Sequence, residues 1–225
     1  MAMTLSEMRT QVRANIRRDT SVLTDATLTQ IINWTQERIA DLHTFPEMHH
    51  SFTTSSVEGR LRYSWPAHLK SIITLKLVDG TRSRRLAYVL AADVDTSRPY
   101  PEEYSGTSDY YFDFGPYFEL HDVPDDAYTL FLRCATYPID LTADAQESTL
   151  LRKDSVIVAG STALAFLWQK EVEEAQTWDQ VFQRLMAEKV SSKREHSDWE
   201  PVARPFSTAS SGNDYHRPFD SFIGS

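Results

Sequence analysis

The spacing of apolar residues changes twice along this chain, and that double change constrains the fold more than any motif does. Near the N-terminus Leu5, Met8, Val12 and Ile16 fall on one helical face, behind a Thr4-Leu5-Ser6-Glu7 capping box, and predict a helix from about Thr4 to Arg18. Thr24 or Asp25 then caps a second stripe of Leu28, Ile31, Ile32, Thr35, Ile39 and Leu42, which stops near Phe45-Pro46. From His49 to about Thr142 the pattern turns to short runs rich in β-branched and aromatic residues. These are Ser51–Thr54, Leu61–Tyr63, Ile72–Val78, Tyr117–Leu120 and Tyr128–Cys134, with turn signals at Glu58-Gly59, Asp79-Gly80, Gly115-Pro116 and Pro124-Asp125-Asp126 between them. Helical spacing then returns, where Asp154 or Ser155 can cap a helix through Val156, Ala159, Ala163, Phe166 and Leu167, and continues with Trp178, Val181, Phe182, Leu185 and Met186 to about Ser192.

A two-helix hairpin cannot bury its stripe alone, so the two ends of the chain are expected to close on each other. The fold class predicted is α+β: an N-terminal hairpin and long C-terminal helices form one bundle, an antiparallel β domain is inserted between them, and an extended arm follows. In residue numbers the hairpin is 1–48, the β domain 49–147, the completing helices 148–198 and the arm 199–225. Trp178, Phe182 and Leu185 are expected to pack on Leu28, Ile32 and Ile39. Lys170 to Glu174 breaks the stripe of the last segment, which leaves one bent helix or two.

With one cysteine, Cys134, the chain forms no internal disulfide; the residue reads as a small apolar core side chain, and the usage suits a reducing compartment without requiring one. The longest apolar stretch, Val156 to Trp168, is too short to span a bilayer, and the N-terminus lacks the apolar core of a signal peptide. The segment Asp93–Asp126 carries ten acidic residues against one basic residue, Arg98, so its net charge equals the −9 of the whole chain. Such an island is a solvated face or one side of a charged protein interface, and it argues against gripping nucleic-acid phosphates. Arg9, Arg13, Arg17 and Arg18 read as the solvated, dipole-favouring face of the first helix. Between Asp93 and Tyr110 no period is evident, and a long exposed loop is expected.

Catalytic signatures are few and isolated. Asp113-Phe114-Gly115 matches a kinase tripeptide without a glycine-rich loop or catalytic loop to accompany it. His43, His49 and His50 lack the spacing of a helical metal motif and any cysteine partner, Gly160-Ser161 lies in a helical pattern, and the glycines form no dinucleotide fingerprint. No cofactor or metal is therefore expected. The segment Pro201–Ser225 has no apolar period, yet it carries Arg-Pro-Phe twice, as Arg204-Pro205-Phe206 and Arg217-Pro218-Phe219, with Tyr215, Phe222 and Ile223 beside them. Disordered segments are normally poor in such side chains, so a tail built this way is expected to bury them against something.

Three stretches together resemble the head-to-tail adaptor proteins of tailed bacteriophages: TLTQIINWTQERIADL (Thr27–Leu42), YFELHDVPDDAYTLFLRCATYPIDLT (Tyr117–Thr142) and LLRKDSVIVAGSTALAFLWQKEVEEAQTWDQVFQRLM (Leu150–Met186). The resemblance implies a non-enzymatic connector, a ring commonly of twelve copies beneath the portal, located in the virion neck after assembly in the host cytoplasm. Its arm would be the portal contact, through Arg204, Pro205, Phe206, Tyr215, Arg217, Pro218, Phe219, Phe222 and Ile223. The β region would face a tail nozzle or stopper protein, with Asp93, Asp95, Glu102, Glu103, Asp109 and Asp113 at a subunit or tail interface, and DNA would pass through without sequence-specific binding. The large β insertion departs from the smallest helical connectors. The rival expectation is a small enzyme or carbohydrate-binding module with its site between Tyr100 and Tyr117.

Overall fold

A computed structural model describes residues 2–17, 23–80, 82–97 and 103–191. Helix α1 spans Leu5–Ile16 and opens on the full capping box: the Glu7 amide donates to Thr4 Oγ1 at 3.3 Å and the Thr4 amide donates to Glu7 Oε2 at 2.8 Å. Helix α2 spans Asp25–Leu42 behind the Thr24 cap, and Pro46 starts a single 3-10 turn, Pro46–Met48, rather than ending the helix itself. Eight strands and a short helix follow, in the order β1 (His49–Ser55), β2 (Arg62–Ser64), β3 (Leu69–Asp79), β4 (Arg82–Arg85), β5 (Ala87–Tyr88), α3 (Ala91–Ser97), β6 (Tyr110–Phe114), β7 (Tyr117–Leu120) and β8 (Thr129–Thr136). Helices α4 (Asp154–Trp168) and α5 (Val172–Ser191) complete the described chain.

The strands form two four-stranded sheets, β1-β8-β3-β4 and β2-β7-β6-β5. The expectation of a wholly antiparallel unit is corrected where β5 and β6 run parallel, and the isolated bridge between Ser105 and Val123 is parallel as well. Gly115 turns β6 into β7 at φ 61°, the positive value that the first loop position of a type II′ hairpin requires. The stretch expected to be a plain loop, Asp93–Tyr110, takes in most of α3 and ends on the first residue of β6; its carboxylates and tyrosines had hidden a short helical turn.

One apolar core lies among the helices and takes in Phe45, Met48, Leu141 and Leu150; a second lies between the sheets, around Leu75, Leu77, Phe118, Leu130, Leu132 and Cys134. Helix α4 packs against α1, α2 and α5, and its small residues let it do so. At Gly160 a side chain would meet Thr35 Cγ2 at 2.7 Å and the Phe182 ring at 2.9 Å, so α2 and α5 come together over that glycine. Leu28, Ile32 and Ile39 share this core with buried Phe182 and half-buried Trp178 and Leu185, with α4 as the element that joins the two groups.

The late helical segment is two helices. Lys170 takes φ 65°, its amide donates to the Leu167 carbonyl at 3.0 Å, and the Glu171 amide donates to the Phe166 carbonyl at 3.0 Å, which is the Schellman ending. No glycine marks this stop, which is why the sequence left one helix or two open.

Residues 137–153 cross the bundle as a strap. The Leu5 amide donates to the Gln146 carbonyl at 2.8 Å and the Ser6 amide to the Asp144 carbonyl at 3.1 Å, satisfying first-turn donors of α1 that have no partner within the helix. Asn33 holds the strap at both its amide atoms, donating to the Leu141 carbonyl at 3.1 Å and accepting from the Leu141 amide at 3.0 Å. Arg9 departs from the solvated face expected of it. Its side chain is buried and ion-paired to Asp144 of the strap, and Arg13 donates to Asp25 at 2.6 Å across the hairpin. The Arg13 hydrogen bond holds the Asp25 carboxyl below the usual carboxylate value.

Candidate functional site

Two surfaces of the β unit are candidates to meet a partner. The first is acidic. Asp93 and Asp95 project from α3 and Glu103 from the following loop, all exposed. Asp109 is exposed but accepts from Arg84 at 2.6 Å, and Glu119 accepts from Arg62 Nε at 2.7 Å. Part of the −9 is thus neutralised within the chain. Asp113 sits on β6, its carboxyl pushed up by burial and partly drawn back by a hydrogen bond from Trp65. The structure brings Asp93, Asp95, Asp109 and Asp113 onto one β unit; Glu102 lies outside the described residues.

At the far end of the same segment, Tyr128 donates to Asp125 Oδ1 at 2.5 Å. That bond, followed by desolvation and the Asp125 charge, pushes the phenol up to about 12. Folding therefore favours the protonated phenol, a contribution fully present below pH 10 and lost as pH rises through about 12. In an NMR titration of ring-labelled tyrosine, the Tyr128 resonances are expected to stay flat to pH 11 while ordinary tyrosines titrate. Asp125→Asn brings Tyr128 back toward 10. A wild-type Tyr128 midpoint near 10 would contradict the hydrogen bond.

The second surface is the mouth between the two sheets along β1 and β2. A groove of about 600 Å³ opens there, walled by β1 from Phe52 to Ser55 and by Tyr63 and Trp65 around β2, with Leu130 and Leu132 at its floor. Trp65 lies over the Phe118 ring at 4.4 Å and Tyr63 at 5.5 Å, so the wall is aromatic and its one charged lining side chain is Arg60. Sequence reading missed this surface, because a run such as Ser51–Thr54 announces a strand but not that it lies at an edge.

The isolated chemical signals acquire structural roles. Gly115 of the kinase-like tripeptide makes the β6–β7 turn, Cys134 is buried in the β core with its thiol pushed up by burial, and His43 lies edge-on to the Phe45 ring at 4.6 Å. Among the described residues no group of three or more His, Cys, Asp or Glu side chains is placed to hold a metal ion, and no helix is long and apolar enough to cross a membrane. The arm residues Arg204, Pro205, Phe206, Tyr215, Arg217, Pro218, Phe219, Phe222 and Ile223 lie outside the described residues.

Comparison with known families decides the reading. The family model of the SU10 adaptor protein matches residues 3–206. This chain belongs to the SU10 adaptor protein family. The match covers both cores and the first Arg-Pro-Phe triplet and stops before the second. It agrees with the resemblance to phage head-to-tail adaptors carried by Thr27–Leu42, Tyr117–Thr142 and Leu150–Met186, and it supports a structural adaptor role. No curated protein matches the sequence.

Proposed function

We propose that this adaptor joins the portal to the tail of a phage as one subunit of a closed ring. The observation that carries the reading is the family match over residues 3–206, which takes in the helical core and the β core alike. The ring has twelve copies and continues the DNA channel through the virion neck without sequence-specific contacts; a heterologous contact that closes on itself gives such a ring. Hairpin 1–48 and helices 148–198 form its bundle, the β domain 49–147 turns toward a nozzle or stopper protein, and 199–225 reaches the portal.

The acidic residues Asp93, Asp95, Glu102, Glu103, Asp109 and Asp113 meet Arg or Lys side chains of a neighbouring subunit or tail protein, which gives register more than affinity. On the arm, Pro205 and Pro218 lower the ordering cost, Arg204 and Arg217 offer bidentate partners to carboxylates, and Phe206, Tyr215, Phe219, Phe222 and Ile223 are apolar anchors. Two Arg-Pro-Phe anchors on one tether bind in succession, the second at high effective concentration.

Deletion of residues 201–225 tests the arm. The shortened protein is expected to remain folded by circular dichroism and to be missing from portal-containing particles on a sucrose gradient. Normal incorporation of the shortened protein would refute the portal contact.

A further inference from the structure

The two sheets are joined along one side and open along the other. Strand β4 ends at Arg85 and β5 begins at Ala87, so the single buried residue Leu86, whose amide donates to the Leu75 carbonyl at 2.9 Å, carries the chain from one sheet to the next. On the far side β1 and β2, the opposite edges of the two sheets, leave the groove between them. The two sheets are thus joined by the chain at Leu86 and leave an open seam between β1 and β2. All seven residues of β1 are exposed, and beyond β8 the strand pairs with no other among the described residues. Its sequence, His49-His50-Ser51-Phe52-Thr53-Thr54-Ser55, has no Lys, Arg, Asp, Glu or Pro, the usual devices that blunt an edge. Such an edge beside an apolar groove is built to accept a strand, with main-chain bonds to the edge and alternate side chains in the groove.

We propose that in the free protein the chain's own segment Phe219–Ile223 lies along β1 and fills this seam. Extended at about 3.3 Å per residue, residues 192–225 span on the order of 110 Å from the end of α5, several times the radius of a domain this size. Within those residues, Phe219–Ile223 places three large apolar side chains in five positions with no proline to interrupt its amides, whereas Phe206 and Tyr215 stand apart in a Ser, Gly and Asn-rich tether. Strand alternation puts Phe219 and Ile223 on one face and Asp220 on the other. Phe52 pairs with Leu132 of the β core, so that side of β1 is the groove side, and it receives Phe219 and Ile223. Ser51 pairs with Arg133, which is exposed on the outer face and offers Asp220 a cation. The docked tail covers a bare edge together with its own Phe219 and Ile223. An arm that engages a portal leaves the seam, so the contact is a reversible self-cap. It does not depend on the portal reading, since it concerns the subunit alone.

Hydrogen exchange on the full-length free protein tests it. The outer-edge amides of His49–Ser55 are expected to exchange about tenfold more slowly in the wild type than in Phe219→Ser/Ile223→Ser, with unchanged exchange in α2 and α4. A synthetic peptide of residues 217–225 added to that variant restores the slow rates. Equal rates in the two proteins, or a peptide without effect, would overturn the proposal. In the variant Thr54→Cys/Ser221→Cys, a short bis-maleimide is expected to join the two positions within one chain, buried Cys134 staying out of the reaction. Products linked only between chains would also overturn it, since the seam would then hold another copy's tail. The particle assay with residues 201–225 removed reads the portal contact separately, so either result can fail alone.

Discussion

Phe182→Ala lowers the unfolding free energy by about 3–5 kcal/mol, the usual cost of truncating a fully buried aromatic side chain. Phe182 is 0 % exposed. Its ring abuts Gly160 of α4, and the Arg38 guanidinium of α2 lies 4.6 Å from its centroid while donating to Asp179 of α5 at 2.7 Å. Removing the ring therefore opens a void where three helices meet and takes away the surface that orients Arg38. For a domain of this size the loss corresponds to a fall in Tm on the order of 10 °C. Trp178→Ala and Leu185→Ala, at half-buried positions of the same core, cost less. Urea melts of the three variants check the order. A Phe182→Ala midpoint equal to wild type would mean that the last helix does not close the bundle.

The helices were legible because their signals are local. A capping box, a 3.6-residue stripe and a Thr cap are complete within one segment, and α1 and α2 formed where those signals placed them. The break after α4 was not legible, since its left-handed residue is Lys170 rather than glycine and the Schellman bonds are main-chain bonds that no side chain announces. Nor were the ion pairs. Arg9 reads as surface on its own helix, and becomes buried because Asp144, far along the chain, is brought over it by the strap. The strands β4, β5 and β6 escaped notice for a related reason: Arg82-Ser83-Arg84-Arg85 has no apolar period, and pairs with Lys76–Asp79 through its backbone. The acidic island was visible as a charge count, but its partial neutralisation by Arg62 and Arg84 was not. The seam depends on which strands lie at the edges, a property of the whole sheet. The family resemblance rests on diffuse apolar patterns over long stretches, and such patterns survive where no single motif does.

Lys153→Ala is expected to cost about 3–5 kcal/mol, as much as the loss of a core ring, because it takes away the ammonium that balances a buried carboxylate. Helix α4 begins without a side-chain cap: Lys153 occupies that position, and its side chain turns inward. The ammonium is 2 % exposed, donates to Glu47 and to the Leu151 carbonyl at 3.0 Å, and lies 4.0 Å over the Phe45 ring; the Glu47 side chain is 9 % exposed. Glu47 sits in the 3-10 turn that leads directly into β1, so this pair ties the start of α4 to the entrance of the β unit. Nearby, Lys70 of β3 donates to the Ala40 carbonyl and Thr44 Oγ1 at the end of α2, and Tyr137 donates to Asp41 at 2.9 Å. The bundle and the sheets are thus coupled by polar contacts, of which the Lys153–Glu47 pair has lost its water while the Tyr137–Asp41 bond stays exposed. A desolvated pair is strongly asymmetric: removing one partner leaves the other's desolvation uncompensated, whereas replacing both with apolar groups of similar volume is often close to neutral. Lys153→Met/Glu47→Leu is therefore expected to recover most of the stability that Lys153→Ala loses, with urea midpoints as the measure. If the pair only held charge at a wet surface, all three proteins would melt within about 1 kcal/mol of each other. Hydrogen exchange separates the local effect from the global one: in Lys153→Ala the amides of Met48–His50 open faster, while those of α2 follow the global loss alone.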